Sequence, residues 1–118
     1  MFAANLANPV TMKTKYFSGP AEIVFPGVYV DGSLAIQIVS PEGEPLFTAT
    51  VCIVEYGFTP GKGYVVIKNY SENEGVLDSL VAGGWIEAPF MAVQGPNDVE
   101  FPVCKLTEKA GLAILGLV

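Results

Sequence analysis

The chain has 118 residues, of which 51% are hydrophobic and only 15% are charged, and its formal net charge is −6. It contains no histidine and no arginine, so it lacks the commonest general base and the side chain that grips phosphate and guanine with two hydrogen bonds. An acidic chain repels nucleic acid, so we expect no direct nucleic-acid binding. The length and the hydrophobic content predict a single globular domain.

The two ends of the chain differ from its middle. Residues 1–15 are predicted to form a loosely ordered N-terminal extension, residues 16–109 a single α+β domain, and residues 110–118 an apolar tail that packs on its own sheet or on a neighbouring subunit. No apolar run approaches the roughly 18 residues that a membrane span needs. No hydrophobic leader region follows Lys13 and Lys15, so we expect a cytoplasmic protein without membrane contact.

Three segments in the first half of the domain have strand character. Residues 22–30 are interrupted at Pro26-Gly27, which predicts an edge strand with a bend. Residues 34–39 and 46–54 are rich in β-branched and aromatic residues, and turn signals separate the segments. The pattern predicts an antiparallel meander.

The middle of the chain predicts a strand that leads directly into a helix. Residues 64–68 are β-branched and aromatic, as strands prefer. Ser71, followed three residues later by Glu74, matches a capping box, in which each side chain satisfies a free backbone amide of the other. We therefore predict that the helix spans residues 71–82.

Apolar side chains repeat at helical spacing within this segment, at Leu77, Leu80 and Val81. Gly83 and Gly84 provide a residue that can adopt positive φ and end the helix. Gly75 lies in the predicted first turn, where glycine is costly. Its presence indicates a close approach of the helix either to a strand or to the Tyr70 ring.

After the helix, residues 85–93 and 99–107 are predicted strands separated by a turn at residues 94–98. The predicted fold is α+β: a twisted antiparallel sheet of about five or six strands, rolled toward a barrel, with the helix packed on one face.

The candidate partner-binding residues fall in two groups. The first is an apolar set that is typical either of an interface or of a core, consisting of Trp85, Ile86, Phe90 and Met91. The second is the densest acidic group, Glu72, Glu74 and Asp78, for which helix capping is the simpler explanation. No spacing matches a metal site, a cofactor site or a catalytic constellation. Cys52 and Cys104 are predicted to be buried free thiols, although a disulfide between them stays open.

The run Asn69-Tyr-Ser-Glu-Asn-Glu-Gly75 resembles a family of short uncharacterised bacterial proteins carried on plasmids and on integrated or phage-derived elements. Weaker similarity to the same family extends over residues 35–39, 42–45 and 101–106. The resemblance implies no catalytic residue. It implies an accessory protein of mobile DNA, such as a factor that blocks a host defence protein.

These observations favour a non-enzymatic protein-binding accessory protein whose partner is a host protein. Two alternatives stay open. The low charge and the apolar tail are typical of a structural or self-assembling protein, including a homo-oligomer, and the aromatic strands are typical of a small-ligand-binding module.

Overall fold

A computed structural model describes residues 8–115. Within this range the protein has seven strands and two short α-helices, so the α+β prediction is confirmed. The strands and helices, in chain order, are β1 Pro9–Lys13, β2 Ser18–Val24, β3 Gln37–Val39, β4 Pro45–Thr48, β5 Tyr64–Val66, α1 Val76–Ala82, β6 Met91–Gln94, β7 Glu100–Lys105 and α2 Glu108–Ile114.

The strands form two antiparallel sheets, one with the order β1-β2-β3-β4 and the other with the order β5-β7-β6. The first is the expected meander with β1 added at its edge. The sheets meet where Thr50 forms an isolated bridge with Ile67, and the amide of Lys68 donates to the carbonyl of Ala49 at 2.8 Å. They do not close into a barrel. The described residues form two sheets rather than the predicted single sheet, because the backbone contact between the sheets is confined to this short segment.

Strand β1 corrects the predicted N-terminal extension. Val10 and Met12 point inward and are 6% and 0% exposed, so they belong to the core of the domain. Apolar and polar residues alternate over only five positions here, which is too short a pattern to predict a strand from sequence. The pairing with β2 is what makes this segment a strand. The remainder of the predicted extension, residues 1–7, lies outside the described residues.

The central helix begins later than predicted. Residues Ser71–Asn73 form a separate 3₁₀ turn, in which Ser71 adopts φ of 56°, and α1 starts only at Val76. Ser71 is the first residue of the 3₁₀ turn, and the residue that precedes α1 is Gly75, so the predicted capping box of Ser71 with Glu74 is wrong.

The side chain of Asn69 accepts hydrogen bonds from backbone amides at the start of α1. Its Oδ1 accepts hydrogen bonds from the amides of Gly75 at 3.1 Å and Leu77 at 3.0 Å. This amide side chain reaches past the 3₁₀ turn, and a sequence rule that looks for the cap next to the helix misses it.

Gly75 allows α1 to contact β1. Its φ of 108° lies in the left-handed region, and a Cβ atom there would collide with the carbonyl oxygen of Lys13. Of the two explanations for this glycine, close approach to a strand is therefore the one that the structure supports.

Two hydrophobic cores lie on opposite faces of the second sheet. In β7, Phe101 and Val103 face the smaller core while Cys104 faces the larger one, as strand alternation requires. The larger core fills the space between the first sheet, α1 and the second sheet. It contains Leu80, which is fully buried, and Leu77 and Val81 pack against it, so the predicted apolar stripe is confirmed.

Much of the predicted apolar tail is helix α2. The Thr107 Oγ1 accepts a hydrogen bond from the amide of Ala110 at 3.2 Å and caps the helix. Ala110 is fully buried, whereas Leu112 and Leu115 are exposed. The last residues of the tail, 116–118, lie outside the described residues.

Candidate protein-binding site

The structure divides the predicted apolar interface set into a buried pair and an exposed pair. Trp85 and Ile86 are each 2% exposed and belong to the larger core. The indole Nε1 donates to the carbonyl of Pro9 at 3.2 Å, and the ammonium of Lys109 lies 4.2 Å from the ring centroid. Of the two interpretations that the sequence left open for the apolar set, these two residues therefore match the core.

Phe90 and Met91 remain at the surface, 61% and 40% exposed. The Phe90 ring packs edge-on against the ring of Tyr64, with centroids 5.2 Å apart and an interplanar angle of 62°. This contact fixes the position of an exposed aromatic side chain beside the first residue of β6.

Within the described part of the chain, β6 is an edge strand, since its single strand partner there is β7. The amide of Gly95 donates to the carbonyl of Val99 at 2.7 Å, so residues at odd positions, such as Val93 opposite Phe101, direct their backbone groups toward β7. Because successive residues of a strand direct these groups to opposite sides, those of Ala92 and Gln94 point away from the sheet. Both residues are exposed.

The edge is short, but it lacks two of the features that usually protect one. The sequence Met91–Gln94 contains no charged residue and no proline, although lysine, proline and bulges commonly guard exposed edges. The exposed backbone edge was missed by sequence reasoning, which concentrated on side chains. The uncharged run between Pro89 and Pro96 is the signal that could have indicated it.

The acidic candidates lie elsewhere, along α1 and the turn before it. Glu72 accepts a hydrogen bond from Lys68 Nζ at 3.2 Å. Its own backbone amide, and then Lys68, lower the pKa of its carboxyl. Glu74 and Asp78 border an open cleft of about 870 Å³ beside β1, together with Lys13 and Lys15. The structure therefore does not combine the acidic and apolar candidates into one site.

A second cavity of about 350 Å³ lies next to the loop of residues 60–63, with Asp31 in its wall. The Asp31 Oδ1 accepts from the amide and the hydroxyl of Ser33, at 2.9 and 2.6 Å. Burial by itself would raise the pKa of the Asp31 carboxyl. The hydrogen bonds from Ser33, together with one from the Cys52 side chain, outweigh burial and lower this pKa. Its Oδ2 is closed to solvent, so the carboxylate offers little to a ligand, and this cavity does not favour the small-ligand alternative.

Neither cysteine forms a disulfide. Cys104 is fully buried, and burial raises the pKa of its thiol to about 11, so it is an unreactive core residue. Cys52 is half-buried rather than buried as predicted. Over residues 8–115, no group of three or more cysteine, aspartate and glutamate side chains is arranged to hold a metal ion.

Neither helix in the described part of the chain has the length and apolar character needed to cross a membrane. No protein-family model, curated protein or solved structure matches the chain. The resemblance through Asn69–Gly75, and the accessory role in mobile DNA that it implies, therefore stay predictions.

Proposed function

We propose that the protein binds another protein by accepting an extended segment of its partner as an additional strand along β6. The observation that carries the proposal is the coincidence of two features at one place. Among residues 8–115, no strand lies beside the outward backbone groups of Ala92 and Gln94, and the exposed side chains of Phe90 and Met91 lie next to them.

Strand addition suits these two features because it uses them for different purposes. Main-chain hydrogen bonds along a sheet edge supply affinity whatever the sequence of the incoming segment, and side-chain contacts supply specificity. Here the outward amides and carbonyls of Ala92 and Gln94 supply the main-chain hydrogen bonds. The Phe90 ring, held against Tyr64, supplies a rigid apolar contact of the kind that is enriched in the centres of interfaces.

The test uses the smallest change that blocks the edge. Ala92→Pro removes the outward amide donor without removing a ladder bond to β7, and proline is tolerated on edge strands. Ala88→Pro is the matched control, since Ala88 is also exposed but precedes β6. Circular dichroism and unfolding midpoints verify that both variants fold.

The probe is a displayed library of random peptides selected on the wild-type protein. We expect recovered peptides to bind wild type and Ala88→Pro, and to lose at least about tenfold in affinity for Ala92→Pro, equivalent to one or two main-chain hydrogen bonds. Recovery of no peptide, or equal binding to all three proteins, would overturn strand addition at β6.

A further inference from the structure

The charges around β6 are unevenly distributed. Near its C-terminal end, Gln94 pairs with Glu100 across the sheet, and Asp98 lies in the turn that joins β6 to β7. Both acidic residues are exposed. The only ion pair among residues 8–115 is between Lys68 and Glu72, so neither acidic residue near β6 has a cationic partner there.

The N-terminal end of β6 is apolar and close to neutral. Phe90 and Met91 are exposed there. Two residues of opposite charge lie side by side beyond this end of the strand, since the amide of Glu87 donates to the carbonyl of Lys105 at 2.9 Å. A strand rises about 3.3 Å per residue, so the apolar end and the acidic end are separated by roughly 10 Å along the edge.

On the binding edge proposed above, we infer that the occupant is an extended basic segment of another protein. An apolar residue of this segment packs against Phe90 and Met91, and the long side chain of a lysine or arginine reaches across β6 toward Asp98 and Glu100. The inference rests on the proposed function and adds the chemistry of the partner. The net charge of −6 also supports a basic partner, because it attracts positively charged proteins during encounter.

A second copy of this chain fits the edge less well. If two β6 strands pair antiparallel, the uncompensated carboxylates of Asp98 and Glu100 come beside the apolar end of the other copy, where desolvation is costly. If they pair parallel, the acidic ends lie against each other. A basic segment avoids both problems because it supplies the missing counter-charges.

The experiment compares two displayed libraries of extended peptides that are identical except that the charged positions are lysine in one and glutamate in the other. We expect wild-type protein to enrich the lysine library at least about tenfold over the glutamate library, as a few exposed charge pairs allow. The enrichment should fall toward parity for the double variant Asp98→Asn, Glu100→Gln. It should persist in the matched control Glu42→Gln, Glu44→Gln, whose exposed acidic residues lie near the β3–β4 turn.

The outcomes separate this inference from the proposed function. Equal enrichment of both libraries, with binding still lost in Ala92→Pro, would overturn the basic partner and leave strand addition intact. Binding that is insensitive to Ala92→Pro would overturn both. A stable dimer in light scattering that Ala92→Pro dissociates would overturn the inference in favour of a second copy.

Discussion

The outer edges of β1 and β6 are both sheet edges, but within the described residues side chains bond to the two ends of the β1 edge and to neither outward residue of β6. The Ser79 Oγ accepts a hydrogen bond from the amide of Lys13 at 2.9 Å, and the Trp85 Nε1 donates to the carbonyl of Pro9. These side chains satisfy backbone groups that would otherwise attract another strand. Along β6, no side chain of the described residues does the same for Ala92 or Gln94.

The difference arises from the elements that neighbour each strand. Helix α1 lies against β1, and Gly75 permits their close contact. Strand β6 instead turns back at residues Pro96–Asp98 to pair with β7 on its inner side. The comparison indicates that an edge covered by side chains stabilises the fold, whereas an open edge is available for binding.

The largest effect should come from separating α1 from β1. Gly75→Ala places a Cβ atom against the Lys13 carbonyl at a positive φ, so we expect a loss of about 3 kcal/mol or more in the free energy of unfolding. Gly111→Ala is the control, because nothing lies near its Cβ position in α2 and alanine favours helix. Chemical denaturation measures both, and equal stability of the Gly75 variant and wild type would contradict the close contact.

Uncovering the β1 edge directly should cost less. Ser79→Ala leaves the partly buried amide of Lys13 without its acceptor, which should lower the free energy of unfolding by about 1–3 kcal/mol. Ser18→Ala, at an exposed strand position, should change it little. If the two variants have the same unfolding midpoint, the hydroxyl does not contribute to closing this edge.

A smaller effect is expected at the start of α1. Asn69→Ala removes the acceptor of two amides and should cost about 1 kcal/mol. Ser71→Ala should cost almost nothing, since Ser71 lies in the 3₁₀ turn and not at the cap of α1. If urea unfolds Ser71→Ala at a lower concentration than Asn69→Ala, the result would contradict the cap by Asn69 and support the capping box that the sequence predicted.

The smallest effect should be at the open edge itself. Ala92→Lys places a charge at an exposed edge position, where substitutions usually change stability by less than about 0.5 kcal/mol. An unfolding midpoint equal to that of wild type would confirm that nothing in the protein covers β6. A loss larger than about 1 kcal/mol would mean that this edge, like that of β1, contributes to the fold.

Sequence patterns predicted the fold class, the meander and the buried stripe of α1, because alternation and helical spacing are local properties of the chain. They failed where a residue contacts a part of the chain that is distant from it in the sequence. The cap of α1 comes from Asn69, several residues before the helix, and Trp85 is buried by contact with Pro9, 76 positions away in the chain. At the β6 edge, the sequence had predicted Phe90 and Met91 as partner-binding residues, and both are exposed.

The sequence alone determined which segments are apolar enough to be buried, and it excluded histidine and arginine chemistry. Tertiary structure alone decided which strand edges are covered. Edge exposure depends on whether a helix or a strand from elsewhere in the chain reaches the unpaired amides and carbonyls, and backbone groups are the same in every residue except proline. The uncharged run between Pro89 and Pro96 is therefore only a hint. Contacts from elsewhere in the described chain decide that α1 and Trp85 bond to the edge of β1 while the outer side of β6 has no neighbouring strand.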